Sequence, residues 1–286
     1  MNLTDIRTIK DVMSIYNIHF RKEFGQNFLT NISVVEDIAD SCSDTPEATV
    51  LEIGPGIGVL TQELAFRYRK VIAVEIDNGL IPVLRYTLQD CPEGVVDVVH
   101  ADVMKVDLGE LLKPAFEAGK VSVCANLPYN ITTPVLEKCI LSRCFDSITV
   151  LIQKEAAERI CAKAGSPDYS VFSLQMQYYT DPQIMFEVEP ECFFPAPKVT
   201  SAVLHCPVRK TPPVEVVSEQ ALWRTVKGGF ALRRKTLANS LQSAYPYSKE
   251  QLTEVIVSCG LSPTVRGEKL TLEDYARLTN ALAALG

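Results

Sequence analysis

Five β-branched, nearly continuous apolar runs recur before residue 154: TVLEIG (49–54), KVIAVEID (70–77), VVDVVHADV (95–103), VSVCANL (121–127) and SITVLIQ (147–153). Strands that are apolar on both faces belong to a parallel sheet covered by helices on each side. The segments between them supply the helices: GVLTQELAFRY and GLIPVLRYTLQ space Leu, Ile and Val at helical intervals. KEAAERICAKAG follows Gln153 as a helix that Gly165 ends. Two further strands are expected at QIMFEVEP (183–190) and SAVLHCPV (201–208), joined by the proline-rich ECFFPAPKVT. From about residue 217 the pattern changes to helices alone, in EQALWRTVKGGFAL, RRKTLANSLQSAY, KEQLTEVIVSCG and TLEDYARLTNALAALG. RKTPPVEVVSEQ, with two adjacent prolines, reads as the linker. The expectation is an α/β domain over 1–208 and a small all-helical domain over 209–286, with no internal repeat.

Composition adds little to that picture. At 286 residues, 47% hydrophobic and 22% charged, the chain has the make-up of a globular protein. No apolar run approaches the ~20 residues that span a bilayer. The charged N-terminus lacks a signal-peptide core, so a cytoplasmic location and no membrane partner are expected. Nine cysteines without a C-x-x-C pair point to reduced thiols and no metal site.

Charge changes the picture more. The net charge of −7 argues against a nucleic-acid partner, yet residues 209–240 hold seven basic and two acidic side chains, a local +5. An acidic body with one basic surface can still bind a phosphate backbone.

The candidate chemistry sits at the strand ends. VLEIGPGIGVLT (50–61) is a strand, a glycine turn and a helix, with Gly54, Gly56 and Gly58 in the turn. Any tight turn of this kind favours glycine, and a dinucleotide site would use one too. Glu75, at the end of the next strand, can accept from both hydroxyls of a ribose. Asp102, after the third, can accept from an adenine amino group, although it could equally cap the segment that follows. Together these residues suggest an adenosine-type cofactor at the carboxyl edge of the sheet. NLPY (126–129) then places an amide, a proline and an aromatic ring at the end of the fourth strand.

With GQNFL (25–29) upstream and FFPAPKVTSAV (193–203) downstream, these motifs resemble the class I S-adenosylmethionine-dependent methyltransferases. Within that class the chain is similar to the ribosomal RNA adenine dimethyltransferase family, from about Lys22 to the C-terminus. The resemblance implies a Rossmann-like, mostly parallel sheet with an antiparallel strand. It implies that Asn27, Leu29, Gly54, Gly56, Glu75, Asp102 and Asn126 hold S-adenosylmethionine, leaving S-adenosylhomocysteine as product. The reaction it implies is N6,N6-dimethylation of two adjacent adenosines in a hairpin loop near the 3′ end of 16S ribosomal RNA, on the assembling small subunit, by a monomeric enzyme. Its large-subunit relatives of the macrolide-resistance type are the alternative. DNA adenine methyltransferases, a catalytically silent assembly factor and a nicotinamide dehydrogenase explain fewer of the motifs.

An exocyclic adenine amine is a weak nucleophile because its lone pair is delocalised into the ring. The Asn126 side-chain oxygen and the Leu127 carbonyl can accept its two hydrogens and favour a pyramidal nitrogen. Pro128 removes a competing donor and stiffens the turn. Tyr129 can stack on the base, which must leave its own stack to arrive. The family pattern F-x-P-x-P-x-V assigns the second ring to Phe193, with Phe194 the neighbour that could replace it. Arg233, Arg234 and Lys235, placed at a helix start where the dipole disfavours cations, are expected to bind RNA phosphate. Trp223 and Phe230 are expected to anchor the helices.

Overall fold

The computed structural model describes residues 1–18 and 26–285. Lys22 and Gly25, the first residue of GQNFL, lie outside the described residues. The chain divides into two compact units, one of residues 1–157 and 182–208, the other of 158–181 and 209–286.

The first unit is built on a seven-stranded sheet. Its strands are β2 (Thr49–Ile53), β3 (Lys70–Glu75), β4 (Val96–His100), β5 (Val121–Asn126), β6 (Ser147–Gln153), β7 (Gln183–Val188) and β9 (Ser201–Pro207), in the order β4-β3-β2-β5-β6-β9-β7. The first five are mutually parallel; β9 runs antiparallel to β6, and β7 antiparallel to β9. Every residue of β2 is buried, as expected of a central strand covered on both faces. The intervening helices are α3 (Val59–Arg67), α4 (Leu80–Thr87), α5 (Leu108–Phe116) and α6 (Thr132–Ser142). Strand order reverses between β2 and β5, and a crevice at the carboxyl ends of the strands is the usual ligand position in such a sheet.

Two features of this unit were not apparent from periodicity. The helices α1 (Ile6–Ile15) and α2 (Ile32–Asp40) bury Ile9, Val12, Val35 and Ile38 in the core. A second, two-stranded sheet pairs β1 (Phe28–Leu29) with β8 (Phe193–Phe194), in the register Phe28 to Phe194 and Leu29 to Phe193.

The second unit is helical: α8 (Val171–Tyr179), α9 (Glu219–Phe230), α10 (Leu237–Leu241), α11 (Lys249–Ser258) and α12 (Leu272–Ala283). The sequence reading assigns 158–181 to the first domain; the structure places it here. The reason is aromatic packing. Tyr178 meets Trp223 of α9 edge-on at 5.3 Å, and the Trp223 indole N–H donates to the Tyr179 hydroxyl at 3.2 Å. Phe230 packs between Tyr169 and Tyr275, so both it and Trp223 anchor helices. The helix expected to run to Gly165, α7 (Lys154–Ile160), stops earlier. There the Gln177 amide donates to the carbonyls of Ile160 and Ala162, satisfying the end of the helix.

Candidate active site

A cavity of about 380 Å³ opens at the carboxyl ends of β2, β3, β4 and β5, within the size range of small-molecule sites. Of the residues expected to hold a cofactor, Asn27, Leu29, Gly54, Gly56, Glu75, Asp102 and Asn126 all line it.

The glycine turn shapes its floor. Gly54, Gly56 and Gly58 all have positive φ, a region that side chains rarely enter. A Cβ on Gly56 would also lie 2.9 Å from the Phe28 ring. The Gly56 N–H donates to Glu75 Oε2 at 3.2 Å, and the Asp77 N–H donates to Oε1 at 2.8 Å. Glu75 is only 5% exposed. Burial raises its pKa, and these N–H bonds oppose the shift by favouring the charged form. Each oxygen keeps a lone pair for a ligand hydroxyl.

Asp102 both closes a turn and lines the cavity, its Oδ1 accepting from the Met104 N–H at 2.9 Å. Asn126, the last residue of β5, donates through Nδ2 to the Asn27 main-chain carbonyl at 3.0 Å. That bond orients the amide and leaves its oxygen for a ligand.

Glu52 also lines the cavity, and the sequence reading missed it. Its signal was a charge inside the otherwise apolar run TVLEIG. The residue is 2% exposed, and Oε2 has no hydrogen-bond partner among the described residues. Burial pushes its pKa up to about 8. The Thr61 hydroxyl offsets part of that rise from beyond hydrogen-bond geometry, and repulsion from Glu75 adds to it. A buried carboxyl with an orphaned oxygen, two further carboxylates at strand ends and a glycine cradle suit a ligand carrying a nucleoside. Asn130, Ile131 and Met104 complete the rim and were likewise not anticipated.

The remaining predicted residues are arranged differently. Pro128 lines the cavity. Leu127 is buried, and its N–H donates to the Leu151 carbonyl at 3.1 Å. The Tyr129 hydroxyl bonds Ser201 Oγ at 2.9 Å, which ties the half-buried ring to the start of β9 instead of placing it in the cavity wall. Phe193 is corrected: only 4% exposed, it packs in the hydrophobic core, because neighbouring residues of an extended segment point to opposite faces. Phe194 is the half-exposed ring, with the Lys10 ammonium 5.3 Å from its centroid.

Arg233, Arg234 and Lys235 are exposed, but they do not begin a helix. They occupy the turn after the C-terminus of α9, where the helix dipole favours cations. The dipole conflict inferred from sequence therefore disappears, and Arg233 donates to the Pro167 carbonyl at 2.9 Å.

The model of the family described as ribosomal RNA adenine dimethylase matches residues 17–284. The chain belongs to the ribosomal RNA adenine dimethylase family. It is 43% identical over 277 residues to ribosomal RNA small subunit methyltransferase A of Alkaliphilus metalliredigens, covering 96% of each chain. It is 41% identical to the protein of the same name from Lachnoclostridium phytofermentans, covering 98% of this chain and 97% of that one. Among solved structures it is similar to the 23S rRNA methyltransferase ErmE, with TM-score 0.70 and 26% identity over 90% of this chain and all of that one. A dimethyladenosine transferase from Plasmodium falciparum shares the fold, with TM-score 0.72 at 23% identity over 88% of this chain and 95% of that one. As a member of the adenine dimethylase family, the chain is a methyltransferase of Rossmann-like fold. No helix among its described residues is long and apolar enough to cross a membrane.

Proposed function

We propose that this protein uses S-adenosylmethionine to dimethylate N6 of two adjacent adenosines near the 3′ end of small-subunit ribosomal RNA, acting as a cytoplasmic monomer on the assembling subunit. The observation that carries the reading is the placement of Asn126. It stands on the same cavity as Glu75 and Asp102, with its amide turned by Asn27 so that an acceptor oxygen remains.

When bound, the cofactor supplies an electrophilic methyl group on a sulfonium. Glu75 accepts from its ribose and Asp102 from its adenine amino group. Asn27, Leu29, Gly54 and Gly56 shape the cavity around them. The Asn126 oxygen and the Leu127 carbonyl accept the two hydrogens of the target amine, which frees its lone pair. Positioning of this kind supplies several kcal/mol of barrier reduction without a strong base. Pro128 and Tyr129 hold the turn. Phe194 takes the stacking role that the family pattern assigns to Phe193. Arg233, Arg234 and Lys235 contact RNA phosphates from the helical unit, without base specificity.

Relatives named for the small subunit match at 41–43% identity over nearly the whole chain, against 26% for the large-subunit enzyme, which favours the small-subunit substrate. The test is methyl transfer to assembling small subunits and, separately, to naked large-subunit RNA, with the products mapped by mass spectrometry. Two adjacent dimethyladenosines in the small-subunit RNA are expected. Transfer to large-subunit RNA alone would overturn the substrate. Phe194→Ala is expected to lower methylation of a stable protein, whereas Phe193→Ala costs about 3–5 kcal/mol of stability by opening a core cavity.

A further inference from the structure

We infer that Lys138 is a positioning residue for the cofactor's adenine end, acting through the loop that carries Asp102. Lys138 lies on α6, the helix that follows the NLPYN turn. Its ammonium donates to the Met104 carbonyl at 3.0 Å and to the Val106 carbonyl at 2.6 Å. These carbonyls flank Lys105 in the segment between β4 and α5.

That segment is a wall of the site. Ala101, Asp102, Val103 and Met104 all line the cavity. Its internal fastening is local. The Lys105 and Val106 N–H groups donate back to the Asp102 carbonyl at 2.8 and 3.1 Å, and Met104 N–H donates to the Asp102 carboxylate. These bonds curl the turn but do not fix where it stands against the rest of the sheet. At the start of the segment, Ala101 N–H donates to the Glu75 carbonyl at 3.0 Å. At the far end, Lys138 ties the segment to another element by hydrogen bonds. Its side chain is half-buried; the bond to Val106 is shielded in part from water and from salt, and the bond to Met104 is exposed.

The ion pair between Lys105 and Asp102 does not substitute for this tie. It spans 3.5 Å, the lysine is 85% exposed, and it joins two residues of the same loop. Lys138 is different in kind: it fastens the adenine wall to the helix that continues from the methyl-transfer turn. The two ends of the cofactor site thus share one support. Lys138 is not among the residues that line the cavity, so its removal should loosen the grip on adenosine while leaving the reacting groups intact.

The inference rests on the reading that Asp102 accepts from adenine, and the experiment separates the two. Binding of S-adenosylmethionine and of adenosine is measured by calorimetry on the full chain, alongside methyl transfer at saturating cofactor. If the wild-type protein binds neither, the functional reading fails first. Given wild-type binding, Lys138→Met is expected to weaken both ligands about tenfold, the scale of losing hydrogen bonds from a charged donor. KM for the cofactor should rise in step, while kcat stays within about threefold, the split expected when uniform binding is lost. Lys138→Arg should recover part of the affinity. In an Asp102→Ala background, Lys138→Met should have little further effect, because the two act as one unit. Unchanged affinity in Lys138→Met, or an equal loss in the Asp102→Ala background, overturns the inference. Should Lys138→Met fail to fold, Lys138→Arg carries the same test: an intermediate affinity with no further loss in the Asp102→Ala background supports it, and wild-type affinity or an equal loss in that background overturns it.

Discussion

The cavity and the basic turn are both assigned to ligand binding, yet they are built on opposite principles. In the cavity Glu75 and Asn126 are held by main-chain hydrogen bonds. Glu75 holds two N–H groups, Asn126 is turned by a carbonyl, and Gly56 has no room for a side chain. At the turn, Arg233, Arg234 and Lys235 stand in solvent; among the described residues the Arg233 guanidinium donates to the Pro167 carbonyl, and the side chains of Arg234 and Lys235 make no hydrogen bond. A preorganised pocket tolerates no misplacement and binds one shape. An exposed cluster offers a field, which is graded, additive and sensitive to salt. Substitutions in the two regions should therefore fail in different ways.

The largest effect is expected at Asn126. Asn126→Ala removes an acceptor that matters most as the amine becomes pyramidal, so turnover should fall about a hundred- to a thousandfold, the scale seen when one preorganised polar group is lost. Single-turnover methylation at saturating RNA measures it. A comparable loss in RNA affinity instead would mean that Asn126 serves binding. Next come Glu75→Ala and Asp102→Ala, each expected to weaken cofactor binding by roughly 1.5–3 kcal/mol, the value of hydrogen bonds to a charged group. Unchanged affinity in both would remove the distinction between cavity and surface. The triple change of Arg233, Arg234 and Lys235 to Ala should leave cofactor affinity alone. It should flatten the slope of log RNA affinity against log salt by up to about two, with the gap from wild type widest at low salt. A wild-type slope would show that the cluster does not meet phosphate.

A pH dependence is expected at Glu52. The unfolded Glu52 carboxyl ionises near 4.5, the folded one near 8. Between those values the folded chain holds a proton that the unfolded chain has lost. The stability this contributes is full below about pH 4.5 and is lost as pH rises through 8. Glu52→Gln removes the titration, so without ligand its melting temperature should gain on wild type as the pH rises from about 6 to 9, by roughly 2–4 °C for each kcal/mol. Parallel melting curves would mean that water reaches the carboxylate.

The same contrast explains what could be read from the sequence. Gly54, Glu75, Asp102 and Asn126 were legible because each closes an apolar run, and parallel strands deliver their ends to one edge. Glu52 was visible as a charge in the central strand, but its meaning depends on the cavity above it. Phe193 and Phe194 were not separable, because the face each takes is set by pairing with Phe28 and Leu29, far away in sequence. The basic cluster was found by charge, while its place at a helix end turned on a boundary that periodicity does not fix. Segment 158–181 looked like a continuation of the α/β pattern, and the packing of Tyr178 and Tyr179 on Trp223 and of Tyr169 on Phe230 shows where it belongs.

The two-residue pairing of β1 with β8 limits how the chain can change length over generations. Side chains alternate across a strand, so a slip of one residue would turn Phe193 outward and bury Phe194. The same slip would move Asn27, whose carbonyl orients Asn126. Single-residue insertions and deletions should thus be purged at 27–29 and 192–194, although both segments lie outside the main sheet. Lineages can lengthen the turns at the amino ends of the strands, away from the cavity, far more freely than they can alter these few positions.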